Sequence, residues 1–271
     1  MTTEVERVGT VAVIGSAAGI GAATVRRLIL DGHRVITVDA RDADIVCDLG
    51  TNAGRRDAVA GVTRLTHGVL AGLVQTARAV PGGEGSRSGA AVMSLSYFGS
   101  VAVLEGLRPA LARSRHAAVV VGTLWTGRPR RWPMELERLC LAGHESRARE
   151  LADTIGPVVA HEASMAALAH YVRRHALIPE WIGAAIRLNT IASGFIDPPS
   201  LGDDLNDDRA IRDLERFRAV VEAVAARIVF LLGPQAGALW RSALDDGPPP
   251  ALDAGPARAG TVVDTLSGGR R

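Results

Sequence analysis

Val11-Ala12-Val13-Ile14-Gly15-Ser16-Ala17-Ala18-Gly19-Ile20-Gly21 decides the fold. Four apolar residues in a row read as a buried strand, and the three glycines that follow read as a turn. Ala22–Asp31 carries apolar residues at Ala22, Val25, Leu28 and Ile29, the spacing of a helix face. Gly15 permits a tight turn, Gly19 has no side chain to obstruct a diphosphate, and Gly21 lets helix and strand pack closely. The helix would then offer free N–H groups and a positive dipole end to phosphate. Gly15, Ser16, Gly19, Ile20 and Gly21 are therefore candidate phosphate-binding residues.

Outward from this turn the pattern repeats. Arg34–Val38 reads as a second strand ending at Asp39, and Asp44–Cys47 as a short third ending at Asp48. Val69–Val74, Ala117–Val121 and Ala185–Ile191 read as further strands. Helices are expected near Tyr97–Leu111, Ser164–His175 and Leu214–Leu232. Strands alternating with helices imply a Rossmann-like, doubly wound parallel sheet covered on both faces, in a single domain over about residues 1–250. The Gly-, Pro- and Asp-rich end reads as a flexible tail over 251–271. Asp39, 18 residues beyond Gly21, is placed to accept hydrogen bonds from ribose hydroxyls and to repel a 2′-phosphate, which favours NAD(H); a solvated turn residue is the lesser alternative.

Composition narrows the field. The 271 residues are 47% hydrophobic and 22% charged with a net charge of +2, which argues against a nucleic-acid partner. All 31 basic residues are arginine. Arg128-Pro129-Arg130-Arg131 reads as a solvated loop. Cys47 and Cys140 lack disulfide or metal spacing, so a reducing cytoplasm and no metal are expected. No uninterrupted apolar run reaches membrane-span length, and Met1-Thr2-Thr3-Glu4 does not begin a signal peptide.

The glycine spacing resembles that of the short-chain dehydrogenase/reductase family. Asp39-Ala40-Arg41-Asp42-Ala43-Asp44-Ile45-Val46-Cys47-Asp48-Leu49, Ser96-Tyr97-Phe98-Gly99 and Arg187-Leu188-Asn189-Thr190-Ile191-Ala192 are similar to its bacterial 3α-hydroxysteroid dehydrogenase/carbonyl reductase branch, over roughly residues 9–232. The resemblance implies that Asp48 and Leu49 contact adenine, that Ala77 and Arg78 lie beside the cofactor, and that copies associate as a homodimer or homotetramer.

The family's catalytic machinery is Asn, Ser, Tyr and Lys. Placed in register, Asn becomes Ser96 and Ser becomes Thr123, or Gly122 if the register slips by one. The Tyr-x-x-x-Lys pair becomes His161 and Met165. Asn-Ala-Gly after the fourth strand becomes Thr76-Ala77-Arg78, and Pro-Gly after the sixth becomes Ser193-Gly194. Met165 carries neither charge nor donor. Arg78 puts a long cation where glycine leaves room; it pairs with diphosphate or it fills the pocket. His161 could move a proton near neutral pH beside Thr123, or merely occupy the space a tyrosine left.

Leu124–Pro157 is long for a connection and reads as a lid over about 124–160. Its Trp125 and Trp132, with Met165 and Gly194, would border a sizeable apolar or polycyclic small molecule; tryptophans packed within the loop or at a subunit interface explain the pattern equally well. His144 and Glu145 fall in the lid, and His170 and His175 on a polar helix face. Three functions compete: a repurposed biosynthetic enzyme doing non-redox proton transfer (isomerisation, dehydration or cyclisation), an NAD(H)-dependent carbonyl or hydroxysteroid oxidoreductase with a substituted site, and an inactive partner subunit.

Overall fold

The computed structural model describes residues 9–79, 87–114, 116–124, 132–193, 208–237 and 243–246. Trp125, the Arg128–Arg131 cluster, Gly194 and the tail over 251–271 lie outside them.

Seven parallel strands form one sheet in the order β3-β2-β1-β4-β5-β6-β7. They are β1 (Thr10–Ile14), β2 (Arg34–Asp39), β3 (Ile45–Val46), β4 (Gly72–Gln75), β5 (Ala118–Leu124), β6 (Arg187–Ser193) and β7 (Ala243–Asp246). The order reverses between β1 and β4, which opens a crevice at the carboxyl ends of those two strands. In β1, Val11 and Val13 pack against one helical layer, and Ala12 and Ile14 against the other. Alternation of side chains across a strand puts apolar residues on both faces, so the run is continuous rather than alternating.

Helices α1 (Gly19–Leu30) and α8 (Asp208–Leu232) pack together on one face. The other face carries α2 (Asn52–Leu65), α3 (Gly89–Met93), α4 (Ser100–Ala112), α5 (Met134–Leu141), α6 (Glu145–Ile155) and α7 (Pro157–His175). A π-helical stretch, Ser94–Gly99, joins α3 to α4. The resulting helix, Gly89–Ala112, is long and apolar enough to cross a membrane, although the sequence shows no unbroken run of that length; 67% of its most apolar window is buried inside the protein, as in a core helix.

Four features depart from the sequence reading. Strand β4 begins at Gly72 rather than Val69, because Leu70 N donates to Ala110 O and Ala71 N to Thr10 O before the ladder starts. Helix α2 was not expected; Thr51 caps it by accepting from Gly54 N at 3.0 Å. The stretch read as a lid holds α5 and α6, packed on α3 and α7. Strand β7 extends the sheet beyond β6.

Two buried arginines fix this architecture. Arg55 pairs with Glu145 through both guanidinium nitrogens at 2.7 Å and also donates to Leu49 O and Ser94 O. Burial pushes the Glu145 carboxyl up, but hydrogen bonds from Arg55 and Ser94 and the charges of Arg55 and Arg149 hold it below its ordinary range. Arg187 donates to Leu231 O (2.8 Å) and Leu232 O (3.0 Å), which the end of α8 leaves without helical partners, and to Gly233 O (3.0 Å) and Ala236 O (3.2 Å) of the turn that follows.

Candidate functional site

The crevice between β1 and β4 holds a cavity of about 350 Å3. Gly15 and Ala17–Gly21 form one wall, Asp39–Arg41 and Cys47–Leu49 one end, and Thr76–Arg78 with Leu95 the opposite wall. Gly122, Ile191 and Ser193 lie deeper, at the carboxyl ends of β5 and β6.

The glycines shape the turn and the start of α1. A Cβ on Gly21 would stand 1.8 Å from Gly15 O, so only glycine lets α1 start this close to the turn. Gly19 has φ +54°, and nothing lies within 4 Å of where its Cβ would be, so any side chain there would project into open space. Helix α1 has no side-chain cap and no acidic residue in its first turn, which leaves its N–H groups and dipole for an external anion. Ser16 does not line the cavity; its buried Oγ has no hydrogen-bond partner among the described residues.

Asp39 accepts from Ala17 N at 2.8 Å and from Ala40 N at 2.6 Å, tying the glycine turn to the end of β2. Asp48 accepts from Gly50 N at 2.8 Å and pairs loosely with Arg87 at 3.5 Å. Asp39, Asp48, Leu49, Ile20, Ala77 and Arg78 all line the cavity. Cys47 lines it too, its thiol pushed up to about 11 by burial and by Asp57, Asp48 and Asp39, so it stays protonated.

The residues read as catalytic sit behind this cavity rather than on its surface. Ser96, in the π-helical stretch, accepts from Ala79 N at 3.1 Å, and its carbonyl accepts from Ser100 Oγ at 2.7 Å. Thr123 Oγ1 donates to Ile191 O at 3.4 Å. His161, on α7, is 3% exposed, and its Nδ1 has no partner among the described residues. Burial, then the charge of Arg78, lowers its pKa to about 4. Met165, 1% exposed, belongs to the core. Among the described residues no hydrogen bond joins His161, Thr123 and Ser96 to one another.

Trp132 is half-buried against the core rather than on the cavity. Both tyrosines are committed elsewhere. Tyr97 lies edge-on to Phe98 with ring centroids 5.1 Å apart, and Tyr171 donates to Glu105. Burial pushes both phenols up. His170 pairs with Glu137 at 3.0 Å, and His175 stacks on Tyr171. Among the described residues no group of three or more His, Cys, Asp or Glu side chains is arranged to hold a metal ion.

Two contributions were missed from sequence. Gln75 closes β4 by donating to Ser100 Oγ at 2.6 Å, which links the strand to the first residue of α4. Phe217, Val221, Val224 and Ile228 of α8 form the apolar wall of the cavity. Their four-, three- and four-residue steps mark one helix face, a signal the sequence did contain.

No protein-family model matches the chain. Over 236 residues it is 33% identical to the 3-alpha-hydroxysteroid dehydrogenase/carbonyl reductase of Comamonas testosteroni, covering 83% of this chain and 90% of that protein. The crystal structure of the 3-alpha-hydroxysteroid dehydrogenase from Pseudomonas sp. B-0831 complexed with NADH is similar at a TM-score of 0.72 and 35% identity, covering 88% of this chain and 94% of that one. Thermoplasma acidophilum aldohexose dehydrogenase shares the fold at 19% identity, with a TM-score of 0.63 and coverage of 89% and 92%. With the reversal of strand order, the glycine turn and a relative of this identity and coverage in hand, the chain belongs to the short-chain dehydrogenase/reductase family.

Proposed function

We propose that the chain is an NAD(H)-dependent oxidoreductase of the carbonyl or hydroxysteroid type in which His161 and Thr123 take the places of the family's tyrosine and serine. The observation that carries this reading is the cavity itself, which runs from Asp39 across the glycine turn to Gly122 and Ser193. The open side of Gly19 and the uncapped start of α1 suit a diphosphate, and Asp39 suits a ribose. Asp48 and Leu49 would border the adenine. Bound there, a nicotinamide dinucleotide supplies or accepts a hydride.

The chain's own part would be to hold and polarise a substrate oxygen that reaches past Gly122 and Ser193 at the deep end of the cavity, because His161 and Thr123 lie behind its wall. With a pKa near 4, His161 is neutral at pH 7 and offers one ring N–H as a donor. A neutral imidazole can polarise a carbonyl without first gaining a proton. Thr123 spends its proton on Ile191 O, so its oxygen is an acceptor. One donor and one acceptor match a hydroxyl. Arg78 is the cation that acts on His161, supplying positive charge that Met165 cannot.

The test follows reduced-nicotinamide absorbance with a panel of hydroxysteroids, other alcohols and carbonyl compounds. Stoichiometric change that falls at least tenfold in His161→Ala is the expected result; silence across the panel while NADH binds tightly would eliminate it. A second reading, proton transfer without net redox change, draws on Met165 and on the engagement of both tyrosines elsewhere. Its signature is substrate conversion at constant reduced-nicotinamide absorbance.

A further inference from the structure

Arg78 is held before any ligand arrives. On one side Thr76 donates to Ile14 O through both its N and its Oγ1, each at 2.9 Å. Ala77 lies so close to the glycine turn that a Cβ on Gly15 would stand 2.4 Å from Ala77 N. On the other side, Ala79 N donates to Ser96 Oγ at 3.1 Å. The backbone of Arg78 is thus clamped between the turn and the π-helical stretch, while its half-buried side chain lines the cavity.

That side chain has no ion pair and no hydrogen bond among the described residues. Asp39, which shares the cavity, accepts from Ala17 N and Ala40 N and makes no ion pair with Arg78. A guanidinium taken out of water without an anion is costly, and burial already weakens its hold on its proton. Across the same cavity stands the uncapped end of α1. Two positive elements face one space: a guanidinium without a side-chain partner among the described residues, and a first helical turn that no side chain caps.

We propose that Arg78 is an anion receptor that grips the diphosphate of the dinucleotide from the β4 side, opposite the glycine turn. The planar guanidinium fork matches two phosphate oxygens at once. The inference rests on the reading of the cavity as an NAD(H) site. It gives Ser96 a concrete task, that of holding the Ala79 amide so that Arg78 is aimed before binding.

The test is calorimetric titration of the full chain with NADH, ADP-ribose, adenosine and inorganic pyrophosphate, in wild type, Arg78→Met and Arg78→Gly. The Met variant keeps bulk and removes charge; the Gly variant removes both, and a thermal melt verifies that each is folded. Both variants should bind ADP-ribose and pyrophosphate roughly 10- to 100-fold more weakly, with adenosine unchanged. Unchanged affinity for ADP-ribose overturns the proposal, and so does tighter binding by Arg78→Gly, which would make the side chain a plug. If wild type binds neither ADP-ribose nor NADH, the NAD(H) reading falls with it; if wild type binds and the variants match it, only the role of Arg78 falls.

Discussion

His161 ties the stability of the fold to pH in a defined window. Its pKa in the folded chain is about 4, against an ordinary 6.5, because burial first and Arg78 second oppose its charged form. Above pH 6.5 the imidazole is neutral in both folded and unfolded chains, and its full contribution is present. As the pH falls from 6.5 toward 4, the unfolded chain takes up a proton that the folded chain refuses, and stability drains away. At 1.36 kcal/mol per pH unit, the whole window is worth about 3 kcal/mol. The perturbation is His161→Gln, which removes the titration and keeps a polar side chain. Urea unfolding of both proteins at intervals between pH 7 and pH 4 gives the difference directly. Carboxylates such as Glu145 titrate in both and cancel. Wild type should lose about 3 kcal/mol more than the variant across the window. Parallel curves, or a His161 ring proton titrating near 6.5 by NMR, would refute the burial and charge assigned to this imidazole.

Gly19→Val should abolish NADH binding in a fluorescence titration while far-ultraviolet dichroism stays native, at a stability cost of roughly 1–2 kcal/mol for a branched residue held at positive φ. Asp39→Asn should weaken NADH binding and narrow the preference over NADPH, because the carboxylate that repels a 2′-phosphate is gone; a preference left intact would remove Asp39 from cofactor choice. Glu145→Gln leaves the Arg55 guanidinium, 9% exposed, without its counter-charge. Arg55 keeps its bonds to Leu49 O and Ser94 O, and Glu145 is partly solvated, so the expected loss is about 2 kcal/mol by chemical unfolding.

The first half of the sheet was legible because continuous apolar runs, three glycines and one carboxylate each have a local cause. Helix α2 was not, since Gly54 and Gly61 lower its propensity and its apolar face is sparse. Helices α5 and α6 hid behind Trp132, Pro133 and Gly143, which read as loop chemistry. Gly156 followed by Pro157 did mark one helix ending and another starting, and α7 accordingly begins seven residues before Ser164. At the site, the cavity-lining glycines, Asp39, Asp48 and Arg78 were readable from spacing and register. The isolation of His161 was not: that its Nδ1 finds no partner among the described residues, and that Thr123 turns to Ile191 O, are facts of packing between elements distant in sequence.

The clasp of Arg187 on the end of α8 makes that helix a beam fixed at one foot. Phe217 stands 15 residues from Leu232, roughly 22 Å along the axis, whereas Ile228 is only about 6 Å away. A five-degree tilt about the foot therefore carries Phe217 through about 2 Å and leaves Ile228 within about half an ångström of its starting place. What resists such a tilt is not the clasp at Arg187 but the ties of Glu222 to Arg26 and Arg27 and the packing of Val221 and Ala225 on Ala23, all close to the Phe217 end.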